Sequence, residues 1–294
     1  MAHQIMENTS LAEQANEVSH VLGIMSGKGG VGKSLVTGLL ATALRKAGYS
    51  VGILDADITG PSIPKMFGLS NRAEMNELGL FPAETNTGIK VMSINLLLDT
   101  PDSAVIWRGP MIAGAVTQFW KDVFWGKLDY LLVDLPPGTS DVPLTVMQSL
   151  PLNGVVIVTS PQDLAAMVVR KAVDMCGKMK VPILGLVQNM AYLKCPDCGD
   201  IIYPFGKTKG ESIAAQMGVP HLLDMPIDPE ISARSDAGEI EGYSGNPLAD
   251  QVDLITNGLM VVTPRKMHTC CDGGSCGGGD CDGGGCDEGD CCCR

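Results

Sequence analysis

The segment Gly27-Lys28-Gly29-Gly30-Val31-Gly32-Lys33-Ser34 carries the spacing G-x-x-x-x-G-K-[ST]. Glycines at this spacing let successive backbone N–H groups curl around an anion, and a helix starting at the end of the loop adds partial positive charge. The chemistry is nucleotide-phosphate binding, with Lys33 reaching the β- and γ-phosphates and the Ser34 hydroxyl ligating Mg²⁺. Two acidic segments, Leu54-Asp55-Ala56-Asp57 and Leu132-Val133-Asp134-Leu135-Pro136-Pro137-Gly138, each close an apolar run. A carboxylate at the carboxyl end of a parallel strand faces the ligand crevice. Asp134 is therefore expected to hold Mg²⁺ through water and Asp57 to orient or activate the attacking water. Asp55 and Asp141 stay ambiguous, the latter also suiting a helix N-cap. A third cluster is Lys194-Cys195-Pro196-Asp197-Cys198-Gly199. Two thiolates three positions apart can hold one edge of a metal site, whereas a tetrahedral site needs four ligands. Pairing two subunits around a two-fold axis completes that count. A redox dithiol also uses C-x-x-C, but it normally opens a helix, and this pair lies in a loop beside Gly and Pro.

These residues need elements to position them, and from His20 onward strand-like and helix-like segments alternate. Residues 21–25, 51–55, 89–98, 130–135, 154–159 and 183–189 read as buried strands, with another near 221–225. Helices are expected over 33–47 (closed by Gly48), 161–177 (opened by Pro161 at N1), 208–217 and 246–262. Apolar strands separated by helices predict an α/β fold, a mostly parallel, doubly wound sheet with helices on both faces. The expected organisation is a leader over residues 1–19, one P-loop ATPase domain over 20–266 and a flexible tail over 267–294.

Composition narrows the function. The 294 residues are 45% hydrophobic and 18% charged, enough to bury a sizeable core. Aromatics are 4% and the formal charge is −12, which argues against nucleic-acid or anionic-membrane partners held by bulk electrostatics. Eight of the eleven cysteines lie in the tail, where Cys271, Cys276, Cys281, Cys286 and Cys291 recur every five residues among Gly and Asp. The remaining part holds Cys176, Cys195 and Cys198 and is no disulfide scaffold. Cys176 falls in an apolar helix and reads as core. With no signal-peptide pattern and no spanning apolar run, the expected setting is cytoplasmic. The tail thiols offer an additional soft-metal site, or else a redox-sensitive solubilising segment.

With these residues in view, the chain resembles the Mrp/ApbC-type iron–sulfur cluster carrier ATPases, a branch of the MinD/ParA-like deviant P-loop NTPases. The likeness covers about residues 20–262. It rests on G-K-G-G-V-G-K-S, on Asp55-Ala56-Asp57-Ile58-Thr59-Gly60-Pro61-Ser62, on Trp107-Arg108-Gly109-Pro110-Met111, on Asp134-Leu135-Pro136-Pro137-Gly138-Thr139 and on the Cys195/Cys198 pair. The resemblance implies a homodimer in which Lys28 reaches the partner's nucleotide, with ATP and Mg²⁺ as cofactors. It also implies a [4Fe–4S] cluster bridged by Cys195 and Cys198 of two subunits and passed to apo iron–sulfur proteins, alongside other cluster-assembly proteins. Asn189, Pro226 and Asp228 match positions that contact the adenine. The N-terminal cysteine cluster of some relatives is missing, since no Cys precedes Cys176, and the Cys/Gly tail lies outside the family pattern. Two alternatives stay open: a targeting or chaperone ATPase with structural zinc at a dimer-bridging C-x-x-C, and a MinD/ParA-like positioning ATPase. The second calls for a basic amphipathic terminus, and this chain ends acidic.

Overall fold

A computed structural model describes residues 11–57, 62–70, 73–76, 79–97, 109–162 and 165–259. The tail thiols, Ile58-Thr59-Gly60-Pro61 and Trp107-Arg108 of the family-like segments lie outside the described residues. In chain order the elements are α1 (Leu11–Ala15), β1 (Glu17–Ser26), α2 (Lys33–Lys46), β2 (Val51–Asp55), α3 (Ile63–Met66), β3 (Glu74–Asn76), β4 (Gly79–Phe81), β5 (Ala83–Glu84) and β6 (Lys90–Ser93). Then follow α4 (Gly109–Asp122), β7 (Lys127–Asp134), α5 (Asp141–Ser149), β8 (Gly154–Thr159), α6 (Ala165–Lys178) and β9 (Ile183–Lys194). The last are β10 (Ile201–Ile202), α7 (Gly210–Met217), β11 (His221–Ile227), α8 (Pro229–Ala237) and α9 (Val252–Gly258).

One nine-stranded sheet runs β10-β9-β8-β1-β7-β2-β6-β5, with β11 also on β9. The central pairs are parallel; β5 and β10 are the antiparallel members. Strands β2 and β8 are buried at every residue, because helices cover both faces and leave no polar side to alternate toward. One apolar layer packs α4 to α7 on the sheet through Val116, Phe119, Val146 and Val169. The other packs α2, α3, α8 and α9 through Leu39, Leu40, Ile63, Ile231 and Ile255. In both layers the polar ends of the strands are left facing the loops.

Several boundaries differ from the sequence expectation, each for a tertiary reason. The strand expected from residue 21 begins at Glu17, which pairs with Lys127. The segment before it is tied down as well: Ala12 is buried, and Asn16 exchanges hydrogen bonds with the Val123 carbonyl (2.8 Å) and the Gly126 N–H (2.9 Å). The strand expected over 89–98 gives way after Ser93 to a 3₁₀ turn that buries Ile94 and Leu96. Of the helix expected from Pro161, Ala165–Lys178 is described as helical, and the Gln162 N–H closes a turn on the Ser160 carbonyl. The 183–189 strand continues to Lys194, drawn out by pairing with β11 and β10. The 208–217 helix begins at Gly210, and the 246–262 helix is a 3₁₀ turn plus the short α9. Ser140, not Asp141, occupies the N-cap of α5.

Candidate functional site

Three strand ends converge on the phosphate loop. Chain β1 ends at Ser26 and the loop bridges to α2, while Asp55 of β2 and Asp134 of β7 stand side by side in register. Gly32 takes φ 84°, and a Cβ there would lie 2.1 Å from the Asn189 amide nitrogen, so only glycine fits. Gly27 is pressed equally close, by Val168 of α6. Lys33 is 5% exposed, with its ammonium 2.8 Å from Asp134 Oδ1 and 3.3 Å from Asp57 Oδ2. The Ser34 hydroxyl donates to Asp134 Oδ2 (2.5 Å), and Thr37, one turn along α2, donates to Asp134 Oδ1 (2.9 Å). Asp55 accepts from the Asp57 N–H (3.1 Å) and the Ser93 hydroxyl (3.0 Å).

Burial pushes the carboxyls of both Asp55 and Asp134 above the usual carboxylate range. The charge of Asp134 adds to the rise at Asp55, and Lys33 opposes it at both. Such crowding of carboxylates about one lysine is what a cation relieves. Ser34 Oγ and Asp134 Oδ2 already converge, so the donor set fits Mg²⁺. The cavity above, about 500 Å³, is lined by Gly29, Gly30, Lys33, Ser34, Asp57 and Pro137, with α8 contributing Ile231, Ser232, Ser235 and Asp236. Lys28 donates to the Gln162 side-chain carbonyl of its own chain.

The residues expected at the adenine fall at two places. Asn189 is 2% exposed and its amide donates to the Val31 carbonyl (2.9 Å), so it braces the loop from below. Asp228 caps α8 by accepting from the Glu230 N–H (2.8 Å) and also takes the Tyr243 hydroxyl (2.6 Å). Pro226 and Asp228 line a second cavity of about 460 Å³, together with Tyr192, Lys194, Cys195, Pro196 and Gly199. Sequence reading missed Thr37, Gln162 and the α8 residues. The spacing of Thr37 four residues after Lys33 was a usable signal; for the other two nothing local existed.

The C-x-x-C sits at the tip of the β9–β10 hairpin, closed by Cys195 N–H to Asp200 carbonyl (2.8 Å) and Gly199 N–H to Cys195 carbonyl (2.9 Å). Backbone amides of Cys198 and Asp197 point at the Cys195 sulfur and hold its thiol below the ordinary value. Cys198 is exposed. Beyond the tip, Ile201, Ile202, Tyr203 and Phe205 are all exposed large apolar side chains. Among the described residues no cluster of three or more His, Cys, Asp or Glu side chains could hold a metal ion, so the hairpin offers two thiolates and no more.

The strand–loop–helix with its glycine loop, a Mg²⁺-competent Ser34/Asp134 pair and a mostly parallel sheet define a P-loop NTPase. Residues 17–260 match the family model for the ParA-type NUBPL iron-transfer P-loop NTPases, and the chain belongs to that family. An iron–sulfur cluster carrier protein of Clostridium perfringens is 46% identical over 258 residues, covering 85% of this chain and 89% of that one. The cytosolic Fe-S cluster assembly factor NUBP2 of Bos taurus is 41% identical, covering 84% and 94%. A nucleotide-binding protein of Archaeoglobus fulgidus, solved with ADP, superposes with a TM-score of 0.72 at 46% identity, covering 80% and 93%. MinD of Aquifex aeolicus, at 19% identity and a TM-score of 0.53 over 81% and 95% of the chains, shares the fold. Among the described residues no helix is long and apolar enough to cross a membrane.

Proposed function

We propose that this protein is an ATP-hydrolysing carrier that assembles a [4Fe–4S] cluster between two subunits and hands it to apo iron–sulfur proteins in the cytoplasm. The observation that carries the reading is the hairpin tip, where amide donors stabilise the Cys195 thiolate beside an exposed Cys198 and supply half a ligand set. Cluster iron takes four thiolates, so a second copy supplies the other two. The apolar strip from Ile201 to Phe205 lies on the same hairpin and would be covered by that pairing. The names of the relatives from Clostridium perfringens and Bos taurus support the cargo.

At the other end of the sheet, loop amides and Lys33 would bind the ATP phosphates while Ser34 and Asp134 hold Mg²⁺, which neutralises charge as the γ-phosphoryl leaves. Asp57, placed beside Lys33, would orient the water that attacks the γ-phosphorus. Lys28 would exchange Gln162 for the partner's phosphates, so its bond within the chain is the one dimerisation breaks.

Anaerobic reconstitution of the full chain with iron and sulfide tests this. Wild type should carry about four iron and four sulfide per dimer more than the Cys195→Ala/Cys198→Ala variant, with nucleotide affinity equal in both. Equal loading of the two proteins would put the cluster elsewhere. Zinc without sulfide would make the site structural.

A further inference from the structure

Strands β9 and β11 pair with Gln188 in register with Asp224, and α7 lies across both with its first residue, Gly210, against that pair. Gln188 is 0% exposed, and neither its side-chain oxygen nor its nitrogen has a hydrogen-bond partner among the described residues. Such an amide is costly to bury and uncommon in a folded interior. Its oxygen is aimed at two further polar atoms. A Cβ on Gly210 would lie 2.5 Å from Asp224 Oδ1, 2.7 Å from Gln188 Oε1 and 2.9 Å from His221 Nε2, so the three converge on one small volume that any larger residue would fill. His221 Nε2 and Asp224 Oδ1 stand 3.0 Å apart, and the two side chains are 22% and 21% exposed, which opens the cluster to solvent on one side.

A carboxylate oxygen, an amide oxygen and an imidazole nitrogen can all present lone pairs, so together they repel an anion and attract a cation. We propose that Gln188, His221 and Asp224 form a site for a divalent first-row transition ion such as zinc, separate from the magnesium site at Ser34 and from the thiolates of the hairpin. Zinc takes imidazole nitrogen and carboxyl oxygen at about 2.0–2.2 Å, and three protein ligands leave a fourth position for water. Two donors at that length on a tetrahedral ion stand about 3.4 Å apart, so the His221–Asp224 pair opens by only about 0.4 Å to admit one. The ion takes the place of the proton between His221 and Asp224, which leaves to solvent or moves to Nδ1, and it gives the Gln188 oxygen a partner. The positive end of α7 lies beside this volume and opposes a cation; the Asp224 carboxylate offsets it. With imidazole and oxygen donors and no sulfur, the set selects zinc and its neighbours over softer ions. Occupancy fastens α7 to β9 and β11 on the sheet face away from α2.

The probe is zinc, titrated calorimetrically into the full, metal-free chain after iodoacetamide has blocked the exposed thiols. Wild type should take up one zinc per chain more than His221→Ala, and Gln188→Leu should bind that zinc at least about tenfold more weakly. Nitrogen-15 NMR of the imidazoles identifies the ligand: zinc should move the His221 Nε2 resonance and leave that of His20 in place. Urea unfolding without metal separates lost binding from lost fold. Gln188→Leu should unfold no more readily than wild type, because leucine removes an unpartnered amide from the interior. Equal zinc uptake by wild type and His221→Ala, or an unmoved His221 resonance, overturns the site. So does undiminished affinity in Gln188→Leu, which would remove the third donor. A less stable metal-free Gln188→Leu would mean that the amide already has a partner, and would overturn it too.

Discussion

Asn189 separates two roles that the same residue could play, and Asn189→Ala tells them apart. In the structure its amide donates across 2.9 Å to the Val31 carbonyl, and both residues are 2% exposed. Water cannot replace the lost donor at so buried a place, so truncation costs about 1–3 kcal/mol. That cost falls on the loop conformation that binds phosphate. A loop destabilised by about 1–2 kcal/mol loses a factor of about 5–30 in the ratio of competent to incompetent conformers, and affinity drops by up to that factor. Calorimetric titration should therefore show ADP and pyrophosphate weakened by the same factor. The Gly32 contact supplies an internal check. Gly32→Ala sets a Cβ 2.1 Å from the Asn189 amide nitrogen, so it should cost less affinity in the Asn189→Ala background, where only the φ penalty of about 1–2 kcal/mol remains. Weakening confined to ADP would mean that Asn189 touches the base. Additive effects of the two substitutions would mean that a Cβ at Gly32 does not meet the Asn189 amide.

Asp134→Asn keeps the shape but removes the charge that Ser34, Thr37 and Lys33 all address; Mg²⁺-dependent ATP hydrolysis should fall by about two to three orders of magnitude, read by phosphate release, while the nucleotide-free protein stays folded by circular dichroism. Asp129 accepts from both the Ser50 N–H (2.8 Å) and hydroxyl (2.6 Å), which hold its carboxyl below the usual range. Its stabilisation is present above the unfolded carboxylate pKa and is lost as pH falls through the lower folded value. Asp129→Asn should then cost about 1 kcal/mol at pH 7 in urea unfolding, after allowance for partial exposure, and progressively less on acidification. Alkylation with iodoacetamide near pH 8, mapped by peptide mass, should label Cys195 quickly. It should spare Cys176, which is fully buried against Met25 and whose thiol is pushed up to about 11, until the protein unfolds.

The sequence by itself determined the phosphate loop, the acidic strand end at Asp134, the cysteine pair and the alternation that demands a parallel sheet. Each of those is a short-range pattern in which the chemistry dictates residue type and spacing, so neighbours along the chain suffice to read it. The tertiary structure decided what depends on distant partners. Register pairing set Asp55 against Asp134 and resolved its ambiguity, because nothing local says which two strands are adjacent. Pairing with β11 and β10 carried β9 past residue 189 into the cysteine hairpin. Folding turned Asn189 beneath the loop rather than toward open space. It also placed Pro226 and Asp228 beside Cys195, across a sequence gap that no periodicity spans. Side-chain packing across a sheet is a many-body outcome, and the contacts it creates exist only once both faces have been covered.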